Sequence, residues 1–182
     1  MKGAGMKMLS MFFAFLLLVS LVVAGTTAAW SYERKVVIAT NPILDMFTWY
    51  NGEVEVAVAP TSTVGAAGTY LTFGDEDEDD EETFANASVF YRYYPREAYG
   101  GFFFGARGGY YRVTAQDEET GDEESGDFFG FGIDIGYSWL LGAEERFNVS
   151  LGVGAVRLLG GDLEDVTLTL PTIRFINVGV AF

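Results

Sequence analysis

The residues of this chain that could do chemistry are carboxylates and arginines. Neither histidine nor cysteine occurs among its 182 residues. Their absence removes the commonest general base, imidazole metal ligands, Ser-His nucleophilic sites and thiolate chemistry. Glu53 and Glu55 remain as a carboxylate pair, the group a hydrolase uses for acid and base. Such a pair must flank a substrate from two sides, whereas these two are i, i+2 neighbours on one face of one extended segment. No enzymatic activity and no cofactor are expected.

A second concentration of carboxylates is the run Asp75–Glu82, eight consecutive acids. Carboxylates are the hard oxygen ligands that Ca²⁺ and Mg²⁺ prefer. Asp75, Asp77, Asp79, Asp80, Asp122 and Glu123 are therefore candidates for weak, multi-site capture of divalent cations. None of these stretches has the spaced Asp/Asn/Gly pattern of a dedicated calcium loop, so no dedicated metal site is expected. The plainer reading is a solvated, self-repelling surface.

The formal net charge is −15. With no basic patch to offset it, binding to nucleic acid is not expected. Lys2 and Lys7 precede an apolar run from Met8 to Ala24, and Thr27-Ala28-Ala29 offers small residues for a signal peptidase. Residues 1–29 read as a cleaved secretory signal peptide and residues 30–182 as the mature domain. A retained anchor helix is the competing reading of the same run. An exported chain without cysteine needs some other means of holding itself together, and a closed barrel with its backbone fully paired is one.

After Trp30 the dominant period is two. Phe129, Phe131, Ile133, Ile135, Tyr137, Trp139 and Leu141 share one face, with Gly130, Gly132, Asp134, Gly136 and Ser138 on the other. Eight such strands are expected near 35–41, 47–58, 63–73, 84–94, 101–113, 128–141, 146–157 and 173–182. An even number of strands near ten residues long predicts an all-β fold, an eight-stranded antiparallel up-and-down transmembrane β-barrel. Tyr91, Tyr93, Tyr137 and Trp139 fall near strand ends, where aromatic girdles belong.

The connections alternate between short and long. Short ones fall around Ala59–Ser62, Pro95–Gly100 and Gly142–Glu145; long ones around 74–83, 114–127 and 158–172. The long set carries eighteen of the 26 acids and no Lys or Arg. It is assigned to the extracellular side, although the segment after strand one, Pro42 to Met46, is short for that rule. Alternation also turns Glu53, Glu55, Arg92, Arg107 and Asp134 into the lumen. There they should neutralise one another as a salt-bridge plug, because a bore this narrow is filled by side chains. A polar path for a small solute is the competing use of the same five. Arg112, Arg157 and Arg174 are expected near the outer strand ends, reaching headgroup phosphates or the acidic loops.

Asn41-Pro42-Ile43-Leu44, Tyr91-Arg92-Tyr93-Tyr94-Pro95, Gly136 to Gly142, Phe147 to Ala155 and terminal Phe182 together resemble the small eight-stranded outer-membrane barrels. The OmpA-transmembrane, OmpX and OmpW-like group and the "outer membrane protein beta-barrel domain" families share this pattern. The resemblance implies a bacterial outer-membrane location and contact with outer-membrane lipids. It implies insertion by the barrel-assembly machinery, with Phe182 as the assembly signal, and a monomer. A plugged structural or surface protein is the first expectation. An OmpW-like narrow channel for small or apolar solutes is the second, and a soluble lipocalin-like periplasmic binder of inverted polarity the third.

Overall fold

The computed structural model describes residues 36–73, 82–116, 123–160 and 168–182. Eight strands form them: β1 (Val36–Thr40), β2 (Trp49–Ala59), β3 (Ser62–Phe73), β4 (Glu82–Tyr93), β5 (Gly101–Gln116), β6 (Glu123–Leu141), β7 (Phe147–Leu159) and β8 (Leu168–Ala181). Each pairs antiparallel with its sequence neighbour, and β1 pairs with β8, so the sheet closes. Residues 1–29, read above as a signal peptide, the acidic run around Asp75–Asp80 and Asp122 lie outside the described residues.

Closure follows from the two-residue period. Along β6, Phe129, Phe131, Ile133 and Ile135 stand exposed on the outside while Asp134 and Ser138 are buried inside. A one-residue slip would exchange the two sets, so the pattern holds the register. Inward glycines opposite large side chains let the bore fill. A Cβ at Gly65 would occupy the space of the Phe90 ring, and one at Gly136 that of Phe103.

Three strands run at least three residues further than hydrophobic alternation indicated. β5 continues to Gln116, β6 starts at Glu123 and β8 at Leu168. Glu123, Glu124 and Asp127, expected in a loop, sit on β6, and Glu82 begins β4. Backbone pairing needs no apolar side chain, so the β5–β6 ladder continues through Arg112↔Asp127 and Thr114↔Ser125. Alternation marks only the part of each strand with one greasy face.

The segment after β1 forms a single helical turn, α1 (Pro42–Asp45). Asn41 caps it, its side-chain oxygen accepting from the amides of Ile43 and Leu44, and Pro42 occupies the first turn. At the opposite end of the barrel the connections are residues 60–61, 94–100 and 142–146.

Candidate functional site: a charged cluster across the bore

Five strands deliver six charges to one level of the bore. Arg92 of β4 is at its centre, with 0% of its surface exposed. Its guanidinium donates to Glu53 at 2.8 and 3.1 Å and to Glu55 at 2.6 Å. Its Nε stands 3.6 Å from Asp134, and its planar group lies 4.0 Å from the centroid of the Phe90 ring. A planar fork that bonds carboxylates at its edge and stacks through its face is a task for arginine, not lysine.

Glu55 is fully engaged. Beyond Arg92 it accepts from Thr63 and from the Tyr94 hydroxyl. Asp134 lies opposite Gly105 of β5, where a side chain would occupy its carboxyl group's space. Arg107 approaches Asp134 at 3.4 Å. The structure therefore brings together all five residues that the two-residue period turned inward.

A sixth was misplaced. Arg174, expected at an outer strand end near headgroups, is inside the bore. It bonds Glu53 and donates to Ser150 at 2.6 Å. The cause is a β-bulge: Ser150 opposes Asn177 but Gly152 opposes Arg174, so β8 carries one extra residue. Phe175 and Ile176 are consequently both outside, 53% and 42% exposed. Two signals in the sequence pointed here. The Phe175-Ile176 doublet breaks strict alternation, and the five expected charges left one carboxylate without a cation. With Arg174 the set is three acids and three arginines, which a low-dielectric interior requires. Of the other two arginines expected at outer strand ends, Arg112 is exposed and bonds Asp127 at 2.7 Å, and Arg157 is exposed.

Below this level the bore is stopped by the 94–100 turn folding back under it. Tyr94 and Tyr99 are each 1% exposed. The Tyr99 hydroxyl donates to the Glu55 carbonyl oxygen, and Tyr94 packs on Phe103 with ring centroids 5.6 Å apart. Tyr99 adopts a positive φ of 67°, which is rare for an aromatic residue and costs about 1–3 kcal/mol. Burying its ring and pairing its hydroxyl offset that cost. Burial and then the nearby Glu55 carboxylate push both phenols above their ordinary range, so they stay protonated.

Above the charges is a cavity of about 310 Å³. Its floor is Arg107, Asp134, Glu53 and Arg174. Its wall is apolar, formed by Phe84, Tyr111, Val156 and Leu170. No group of side chains suited to holding a metal ion occurs among the described residues. The side chain of Glu123 and the candidates Asp75, Asp77, Asp79, Asp80 and Asp122 are not among those described.

The arrangement can hold a bore shut and present a small polar-floored cup. No curated protein matches the chain. Among solved structures, the N-terminal β-barrel domain of Pseudomonas aeruginosa OprF is similar, at 12% identity and a TM-score of 0.49, over 82% of this chain and 98% of that one. A family model matches residues 12–161, and on that match the chain belongs to the DUF3575 family, described as proteins of unknown function.

Proposed function

We propose that this protein is an integral β-barrel of the bacterial outer membrane with a sealed bore, acting through its surfaces and not as an open pore or an enzyme. One observation carries the reading: the polarity is inside out. Phe129, Phe131, Ile133, Ile135, Leu151 and Val153 are exposed on the outside, while Glu53, Glu55, Arg92 and Asp134 are buried inside. A barrel in water would reverse this, because an apolar belt of that extent needs a covering. Lipid is the covering that suits a sheet closed on itself with a continuous apolar outer face. A leader at residues 1–29 and an aromatic Phe182 read by the assembly machinery belong to the same proposal, as does an acidic extracellular face.

The sealed bore argues against the channel alternative. Arg92 fills the centre, and Tyr94 and Tyr99 close the end below it. Cell fractionation with heat-modifiable gel mobility tests the membrane reading. The expected protein sediments with outer membranes, needs detergent for release, and migrates faster unboiled than boiled. Release by osmotic shock without detergent would overturn the proposal.

A further inference from the structure

The barrel wall has a seam that is only half closed. β1 is five residues long, and its last pair with β8 is Thr40↔Val178. Its last pair with β2 is Ala39↔Glu53. Above those pairs β8 continues from Asn177 to Leu168 with β7 on one side only. Among the described residues, no strand pairing or backbone hydrogen bond joins that stretch to anything on its β1 side. Pro171, which has no N–H to donate, lies in it, as proline in a sheet does where its nitrogen faces an open edge.

The seam is filled by α1 instead of a strand. Asn41, Thr40 and Asp45 tie the turn to Asn51 of β2. The turn rests beside β8 with no hydrogen bond to it among the described residues. It is moored on one edge only. Its outer side is greasy, with Met46 82% and Phe47 69% exposed just after it, while Leu44 lines the cavity. The cavity wall also includes Ile173 and Phe175, whose side chains lie outside, so the cavity comes up to the free edge of β8.

Three of the cavity's lining residues are incompletely paired. Asp134 Oδ1, Arg107 Nε and Asn41 Nδ2 are buried without a hydrogen-bond partner. These atoms are closed off themselves, but the residues that carry them line a mainly apolar cup. The four charges of the floor cancel, so no net charge is demanded of a ligand. Its volume is at the lower end of the roughly 300–1,000 Å³ that small-molecule sites occupy.

We propose that the seam between β8 and the 41–48 connection is a lateral doorway, through which an uncharged single-chain amphiphile passes from the lipid phase into this cavity. Its hydroxyl or amide head would meet Asp134 and Arg107, and its chain would lie along Phe84, Tyr111, Val156 and Leu170. The proposal rests on the membrane reading above.

Quenching of Trp49, which lines the cavity, by bromodecanol dissolved in phosphatidylcholine vesicles tests it, with Trp30 and Trp139 replaced by Phe. Saturable quenching is expected. Thr172→Phe, which fills the cavity, should weaken it about tenfold, as losing one good contact set does. An Ile43→Cys/Ile173→Cys pair, bridged on the outside by a bismaleimide, should slow quenching about tenfold or more relative to the unbridged pair. Quenching that never saturates and ignores Thr172→Phe would overturn the site. Saturable quenching at the same rate with and without the bridge would overturn the doorway and assign entry to the mouth between the loops. Protein that does not float with the vesicles would overturn the membrane reading itself.

Discussion

Arg174 on β8 bonds Glu53 on β2, although β1 is the strand that lies between those two. The ion pair thereby crosses the barrel seam just where β1 gives out, and it depends on the bulge that absorbs an extra residue of β8 and keeps Arg174 inward. Seam, bulge and charge cluster are one structural device.

Deleting Ile176 should remove the bulge without moving Arg174. With Asn177 inside, strict alternation then puts Phe175 outside and Arg174 inside, opposite Gly152 as before. Folded protein, followed by heat-modifiable mobility, should be about as abundant as with the full-length strand. A lipid-dissolved thiol probe gives a second measure: Arg174→Cys is expected to be protected with and without Ile176. Labelling in the full-length strand would place position 174 outside from the start.

Arg92 should be the most costly single truncation in the bore. Arg92→Ala leaves Glu53 and Glu55 buried beside fewer cations, and breaking a buried pair typically costs about 3–5 kcal/mol. Denaturant unfolding in lipid vesicles measures it. Arg92→Met combined with Glu55→Gln removes one charge of each sign and should recover much of the loss. Failure to recover would mean that the Phe90 stacking, and not charge balance, dominates at this position.

The seal is expected to have two layers. Tyr94→Ala with Tyr99→Ala opens the lower end but leaves Arg92 between Glu53 and Glu55, so planar bilayers should stay silent. Adding the Arg92→Met and Glu55→Gln changes should produce steady single-channel conductance. Openings from the tyrosine variant alone would assign the whole seal to the 94–100 turn.

Alkaline pH should loosen the closed end. Both Tyr94 and Tyr99 are raised in the folded protein above the phenol value of about 10 that they regain on unfolding. Above that pH the unfolded chain loses protons that the folded one keeps, so stability falls as pH rises; below it the contribution is fully present. Tyrosinate absorbance followed alongside unfolding checks the sign. Tyr94→Phe with Tyr99→Phe should flatten the alkaline slope while leaving neutral-pH behaviour otherwise comparable. An unchanged slope would show that other groups govern alkaline unfolding.

Strand number, their two faces and the inward turn of Glu53, Glu55, Arg92, Arg107 and Asp134 were legible in the chain itself. Side chains in a strand alternate by geometry, and a closed sheet with one greasy face leaves little freedom of register. What pairs with what was not legible there. A single extra residue at Phe175-Ile176 reverses the facing of Arg174, and local alternation cannot say which strand will absorb the bulge. The same holds for the half-closed seam. The shortness of β1 appears in the sequence as an early Asn41-Pro42, but the free edge it leaves on β8 arises only when the first and last strands meet. Contacts between distant segments depend on how the sheet closes, and closure is a property of all eight strands together.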